Sequence, residues 1–325
     1  MRFARYIDDG LETCGVVDGD HLVPLDDGAT LLELIQEGGL GSLLRAGERA
    51  LASPLHAVAA TPVESVRLLP PLDPPSIRDF SAFEAHVAGV VAGLGSGVVS
   101  REWYEAPAFY FTNPHSLFGA GDDVPIPAGC ELFDFELELA AVIGEPLADP
   151  TPEDAAHAIV GYTILNDWSA RDIQQREMRV GLGPAKGKDF GSTLGPWLVT
   201  ADELNHRLDD AGRLSLDMQV SINGRLVGRD SSGNMAWTFG ELAAYAGRGT
   251  RLVPGDVLGS GTCGNGGCLA ELWGRNGERV PPPLQPEDVV SMTIDGIGTI
   301  TNRVVAGGTA HPVPPARTVT TVSSS

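Results

Sequence analysis

The sequence predicts an α+β fold rich in short strands, and three observations carry that expectation. Glycine (41) and proline (24) are both abundant in a chain of 325 residues, which favours many turns over long helices. Short runs with alternating apolar residues recur near both ends: RFARYIDDG, ETCGVVDGD and HLVPLDD at the start, VVSMTIDGIGTITNRVV close to the finish. SLDMQVSING closes on Asn-Gly, a hairpin turn signal, and is answered by RLVGRDSS.

Taken in order, residues 1–70 read as a small N-terminal α/β unit of short strands followed by a helix over residues 30–46. Its apolar side is Leu31, Leu32, Leu34, Ile35, Leu43 and Leu44, and Gly38 and Gly39 should break it in two. LLPPLDPPS, residues 68–76, carries four prolines and reads as the linker into a main domain over residues 71–308. There a helix over residues 83–91 follows Ser81. EDAAHAIVGYTILNDWSARDI reads as a short helix, an apolar strand over residues 158–166 and a polar loop; TFGELAAYAGRG is one more amphipathic helix. Residues 309–325 have the Pro/Ser/Thr character of a flexible tail.

Lys and Arg total 22 against 43 Asp and Glu, a formal charge of −21. Such a chain has no electrostatic reason to approach phosphate backbones or anionic lipid, so neither nucleic acid nor a membrane is expected as a partner; solubility is the plain reading of the acidity. The four cysteines, Cys14, Cys130, Cys263 and Cys268, are too few for a disulfide framework. No leader opens the chain and no apolar run approaches the ~18 residues of a membrane span, so a reduced, cytoplasmic protein is expected.

The segment DFELELAAVIGEP places carboxylates inside a strand. Successive side chains of a strand point to opposite faces, so Glu136 and Glu138 share a face with Asp134 while Phe135, Leu137 and Leu139 point the other way. Carboxylates about 7 Å apart on one face suit a hard cation that wants several oxygens; a solvent-facing, half-exposed strand is the plain alternative. Asp167, at the end of GYTILND, and Asp79, in SIRDFSAFEAHV, are further acids near strand ends.

RDFSAFEAH, FYFTNP, DFELELAAVIG, GYTILNDWSARDIQ, GLGPAKGKDFGSTLGPWLVT, RLVPGDVLGSGT and ELW, in this order, resemble the fumarylacetoacetate hydrolase family over about residues 75–305. The resemblance implies a mixed β-roll domain that dimerises, and a metal-dependent enzyme acting on small 1,3-dicarbonyl or 2-oxo acids, usually by C–C bond hydrolysis. It places metal ligands on Glu136, Glu138, Asp167 and Asp79, and a general base on His86 paired with Glu271. It places a further catalytic residue, Lys188, on the substrate oxygens, and substrate contacts on Gln174, Tyr110, Arg171 and Thr262. The implied cation is Mg²⁺ or Ca²⁺, with Mn²⁺ as the alternative, and the implied partner is a small dicarbonyl or 2-oxo acid.

Those residue types fit the chemistry. Cleaving a 1,3-diketone requires an activated water, which an imidazole oriented by a carboxylate can supply, a Lewis acid, and positive charge near the developing oxyanion. The same resemblance extends to hydratases, isomerases and 2-oxo acid decarboxylases, and a reading of another class is an inactive, metal-stabilised binding protein. GPAKGKDFG lacks phosphate-loop spacing, GSGTCGNGG lacks a βαβ setting, and Cys263 and Cys268 lack the second pair a zinc site needs. Three departures bear on the substrate. Met178 stands where the animal fumarylacetoacetate-cleaving enzymes have a tyrosine, the GSGT-to-ELW loop is shorter, and no arginine matches the one those enzymes use on the substrate carboxylate. Arg101 lies near that place without aligning; His115, beside FYFTNP, has no assigned role.

Overall fold

The computed structural model describes residues 1–54, 56–93 and 98–317. The strand Leu137–Ile143 is buried at every position, and its neighbours explain how. It pairs antiparallel with Ile159–Asp167 on one side and with Val257–Gly259 on the other. Val257–Gly259 runs parallel to Ile77–Phe80, which pairs with Phe109–Thr112; in the other direction Ile159–Asp167 leads through Ser192–Thr200 to Arg2–Asp8. Together with Leu11–Asp18, His21–Pro24, Thr61–Pro62, Arg67–Leu69 and Leu117–Phe118 these strands build a 12-stranded sheet, so the N-terminal strands are hydrogen-bonded to the strands that carry the acids. A second, 5-stranded sheet contains the hairpin Asp217–Ile222 and Arg225–Ser231. It turns at Asn223 (φ 50°) and Gly224 (φ 77°), the left-handed pair that Asn-Gly supplies.

Both faces of the large sheet are covered. Leu139, Ala141 and Ile143 join Ile164, Met218, Val220, Met292 and Ile294 in the core shared with the small sheet. Ala140 and Val142, one residue out of phase, pack with Leu31, Ile35 and Leu43 of the helix Leu31–Ala52 and with Leu198. Truncating a side chain such as Leu139 in this setting typically costs about 2–5 kcal/mol. The helix begins with a capping box between Thr30 and Glu33 and runs further than residue 46. It is interrupted at Gly38 and Gly39 as the sequence predicts. Gly39 has φ 55°, and a Cβ there would lie 3.1 Å from the Gly144 carbonyl oxygen, so glycine alone lets the helix approach the sheet.

Three local expectations are corrected. Leu68 and Leu69 belong to the strand Arg67–Leu69, paired with Arg2–Asp8, so the proline-rich connection starts at residue 70. Beyond Asp167 the chain forms the short strand Ser169–Ala170 and the helix Arg171–Met178 in place of a loop; its polar composition hid a helical spacing in which Arg171 donates to Gln174 one turn on. Glu271 lies on a helix, Leu269–Asn276, in place of a strand. That helix is ended by left-handed Gly277 (φ 72°) and carries the i,i+4 pair Glu271–Arg275. The helix expected over residues 83–91 spans Glu84–Gly93. Residues 306–317 are exposed and irregular, and residues 318–325 of the expected tail lie outside the described residues. No described helix is long and apolar enough to cross a membrane.

Candidate active site

The large sheet brings the acids together. Asp79 stands opposite Gly259 on the parallel neighbour strand, and Ala140 stands opposite the same glycine from the other side. Glu138, two residues before Ala140, therefore reaches Asp79 across the glycine. A Cβ at position 259 would lie 2.7 Å from Glu138 Oε2 and 3.0 Å from Asp79 Oδ1, so the carboxylates occupy the space that a side chain would take. Asp167 arrives on the last residue of the strand next door, where Glu138 pairs with Leu165. Asp79, Glu136 and Glu138 each place a carboxylate oxygen within 4.8 Å of the others.

Positive charge is scarce there. Lys188 Nζ lies 2.6 Å from Glu136 Oε2 and also contacts Asp167, whose carboxylate accepts from the Tyr110 hydroxyl as well. Arg171 Nη2 lies 2.7 Å from Glu136 Oε1 but is shared with Asp134 at 2.8 Å. Desolvation opposes charge on every one of these groups. At Glu136 the two bases overcome it and hold the carboxyl far below the usual range. Burial, and then the charge of the neighbouring acid, pushes Asp79 and Glu138 well above the usual carboxylate range, and burial raises Asp167 in spite of Lys188. The Lys188 ammonium is strengthened, since Asp167 and Glu136 outweigh its desolvation.

The oxygens left over show whether a cation suits the site. Glu138 Oε2 accepts the Gly261 N–H at 3.0 Å, whereas Asp79 Oδ1, Glu138 Oε1 and Asp167 Oδ1 are buried without a hydrogen-bond donor. Buried carboxylate oxygens normally find partners, and an all-oxygen cluster with an excess of negative charge is the donor set of a hard divalent cation. Asp79, Glu136, Glu138 and Asp167 fit such an ion. Asp134, on the same strand face, does not join them: it accepts the N–H groups of Leu269 and Ala270 at the start of the helix Leu269–Asn276.

His86, on the helix Glu84–Gly93, turns Nδ1 to within 3.5 Å of Glu271 Oε2, and Glu271 Oε1 is 2.7 Å from Arg275 Nη2. Glycines bring the two helices together: a Cβ on Gly89 would meet Glu271 Cγ at 2.4 Å, and one on Gly93 would meet the Gly274 backbone at 2.7 Å. The glycines stand three and seven residues after His86, on its face of the helix, so one short helix carries both the imidazole and the surface that lets Glu271 reach it.

These groups open on one cleft, of about 440 Å³, lined by Asp79, Glu136, His86, Lys188, Gln174, Tyr110 and Thr262 among others. Glu138 and Asp167 lie beneath it, fully buried. Arg171, expected as a substrate contact, does not line the cleft; its guanidinium is taken up by Asp134, Glu136 and Gln174. Arg101 is exposed and pairs with Glu105, and His115 lies on the surface away from the cleft. The sequence reading missed Gly259, Gly261 and Arg275. Only the GSGT motif hinted at the glycines, and the Glu271–Arg275 spacing counts only on a helix.

A mixed sheet thus carries a buried carboxylate cluster beside a histidine–glutamate pair. The family model described as "Fumarylacetoacetate (FAA) hydrolase C-terminal" matches residues 76–305, and the chain belongs to that family. The fumarylacetoacetase of Arabidopsis thaliana is 31% identical over 265 residues, covering 67% of this chain and 62% of that protein. The chain thus spans 57–62% of the length of the plant, bovine and Dictyostelium discoideum fumarylacetoacetases. The solved structure of fumarylacetoacetate hydrolase from Exiguobacterium antarcticum superposes with a TM-score of 0.71 at 27% identity, over 94% of this chain and 99% of that one. The same fold occurs in maleylpyruvate hydrolase from Sphingobium, solved with manganese(II) and pyruvate, at a TM-score of 0.69 and 24% identity over 95% of this chain and all of that one.

Proposed function

We propose that the protein hydrolyses a C–C bond of a small 1,3-diketo acid, of the fumarylacetoacetate or acylpyruvate type, with a divalent cation held by Asp79, Glu136, Glu138 and Asp167 and with His86 as general base. The observation that carries this reading is the adjacency of orphaned, buried carboxylate oxygens to a His–Glu pair on the same cleft. A homodimer, taken from the family likeness, and the reduced, cytoplasmic setting expected from the sequence accompany it. When bound, Mg²⁺, Ca²⁺ or Mn²⁺ would act as a Lewis acid toward the dicarbonyl oxygens.

The chain's own groups supply the rest. With Nδ1 turned to Glu271, Nε2 is the nitrogen left for the cleft, where it takes a proton from water while Glu271 stabilises the imidazolium. The hydroxide adds to the acyl carbonyl carbon. The bond from that carbon to the CH₂ group then breaks, its electron pair passes to the CH₂ carbon, and the proton held on His86 completes the methyl group. The products are a carboxylic acid and a methyl ketone acid, pyruvate from an acylpyruvate or acetoacetate from fumarylacetoacetate. Gln174 has its Oε1 occupied by Arg171, so its amide N–H groups are turned to donate; Arg171 is a positioning residue for Gln174 and Glu136. Lys188 adds fixed positive charge at the same wall, an effect typically worth about 3 kcal/mol for one well-placed donor.

Turnover of fumarylacetoacetate and acetylpyruvate, followed by loss of enol absorbance with Mg²⁺ and again in EDTA, tests the reading. Metal-dependent cleavage of either is expected, with His86→Ala lowering kcat by at least ~100-fold. No cleavage of either with metal demonstrably bound overturns it and turns attention to decarboxylation and hydration.

A further inference from the structure

We propose that Cys268, His86 and Glu136 form a second cation site, suited to a thiophilic divalent ion such as Zn²⁺ or Cd²⁺, and that an ion there disables His86 as a base. Cys268 Sγ, a ring nitrogen of His86 and a carboxylate oxygen of Glu136 lie within 4.8 Å of one another. They come from three separate segments. His86 is on the helix Glu84–Gly93, Glu136 directly precedes the strand Leu137–Ile143, and Cys268 is the residue that caps the helix Leu269–Asn276. The sequence lacks the paired cysteines of a structural zinc site, and this arrangement does not use them.

The spacing is close to what a tetrahedral ion requires. Zinc–sulfur and zinc–nitrogen bonds of ordinary length, at a tetrahedral angle, hold the two ligand atoms about 3.6 Å apart. Cys268 Sγ is 3.9 Å from His86 Nδ1, so a small side-chain shift closes the pair. Glu271 Oε2 stands 3.5 Å from the same nitrogen, wholly buried and without a hydrogen-bond donor, and adds negative charge beside the ion. Lys188 and Arg171, both paired with Glu136, oppose a second dication; Asp134, Glu271 and the acid cluster offset them. The ligand types also discriminate. Oxygens alone suit a hard ion, whereas a thiolate with an imidazole suits a soft one. Glu136 belongs to both groups, so the two ions would share it.

Capping does not account for the sulfur. Cys268 Sγ accepts the Glu271 N–H at 3.4 Å, a task that serine performs at least as well. On binding, the thiol gives its proton to water, the sulfur bonds the ion as a thiolate and His86 bonds it through Nδ1. A neutral imidazole bound through Nδ1 carries its proton on Nε2, the nitrogen left for the cleft, and can no longer take one from water. The ion would therefore stop hydrolysis by removing the base, with the dicarbonyl site still open. The site itself is independent of the hydrolase reading above; its effect on turnover rests on that reading.

The test titrates Cd²⁺ into the full chain, saturated with Mg²⁺ and free of added thiol, and follows the thiolate-to-cadmium charge-transfer absorption in the ultraviolet. Wild type and Cys130→Ser should both show the band, complete at one Cd²⁺ per chain. Cys268→Ser should lose it and bind Cd²⁺ at least tenfold more weakly, with Mg²⁺ affinity and circular dichroism unchanged. His86→Gln, which keeps the thiol, should also weaken Cd²⁺ at least tenfold. In turnover of acetylpyruvate, Zn²⁺ should lower kcat with little change in KM, and Cys268→Ser should need at least tenfold more Zn²⁺ for the same loss. No band in wild type, a band kept in Cys268→Ser, or affinity unmoved in His86→Gln overturns the site. Equal inhibition of wild type and Cys268→Ser overturns the effect on His86. Cd²⁺ bound through Cys268 in a protein that cleaves no diketo acid supports the site and counts against the hydrolase reading alone.

Discussion

Asp134 and Glu138 lie four residues apart on the same face of one extended segment, both wholly buried, and the structure treats them in opposite ways. Asp134 is saturated. Its Oδ1 accepts the N–H groups of Phe135 and Leu269, both at 2.8 Å, and its Oδ2 accepts Ala270 N–H at 3.0 Å and Arg171 Nε at 2.8 Å. Glu138 accepts one backbone N–H, faces a second carboxyl in Asp79, and has no donor at Oε1. A buried charge with all its partners is architecture, here the anchor for the helix that carries Glu271. A buried charge short of partners, in a cluster of like charges, is a site shaped for something that is not protein.

The largest expected contrast comes from removing each carboxylate. Asp134→Ala leaves the Arg171 guanidinium and the start of the helix Leu269–Asn276 without their acceptor, which should cost about 3–5 kcal/mol in urea unfolding of the metal-free protein. Glu138→Gln should change metal-free stability by under ~1 kcal/mol, because burial and then the charge of Asp79 already disfavour the charged form there, and the amide oxygen can still accept the Gly261 N–H. Equal, large losses for both would erase the distinction.

Next in size is the response to the ion. At a concentration 100 times its Kd, Mg²⁺ should stabilise the wild type by about 2.7 kcal/mol and Glu138→Gln hardly at all, read as a shift of the urea midpoint. Gly259→Ala sharpens the point without touching a charge. Its Cβ would fall 2.7 Å from Glu138 Oε2, and ion affinity should drop about tenfold or more in titration calorimetry.

The smallest effect is protonic. In the metal-free protein burial raises the pKa values of Asp79 and Glu138, helped by the charge of Asp167 at Asp79 and of Asp79 at Glu138, so they keep protons at pH values where ordinary carboxylates have lost them. Binding a cation expels those protons. Apparent affinity should therefore rise with pH above the ordinary carboxylate range, and binding heats in two buffers should differ in proportion to the protons released. Affinity that falls with rising pH would contradict the assignment.

The sequence made some of this legible and hid the rest for physical reasons. Alternation along DFELELA put Glu136 and Glu138 on one face and the core residues on the other, and the apolar strand ending in Asp167 was plain. By the same alternation Asp134 looked equivalent to Glu138. What separates them is a helix more than 130 residues away whose N–H groups end on Asp134, and no local pattern announces it. Glu271 read as part of a strand because LAELW is mostly apolar and the helix Leu269–Asn276 is only about two turns long, too short for a helical period to show. Gly259 could not be read at all. Its meaning is the space it leaves between Asp79 and Glu138, which exists only once the strands pair.

The most direct test of the central claim is titration calorimetry of Mg²⁺ or Mn²⁺ into EDTA-stripped wild type and Glu138→Gln. The account predicts one ion per chain in the wild type and at least a hundredfold weaker binding in Glu138→Gln with the fold intact by circular dichroism. Undiminished binding in Glu138→Gln, or none in the wild type, would contradict it.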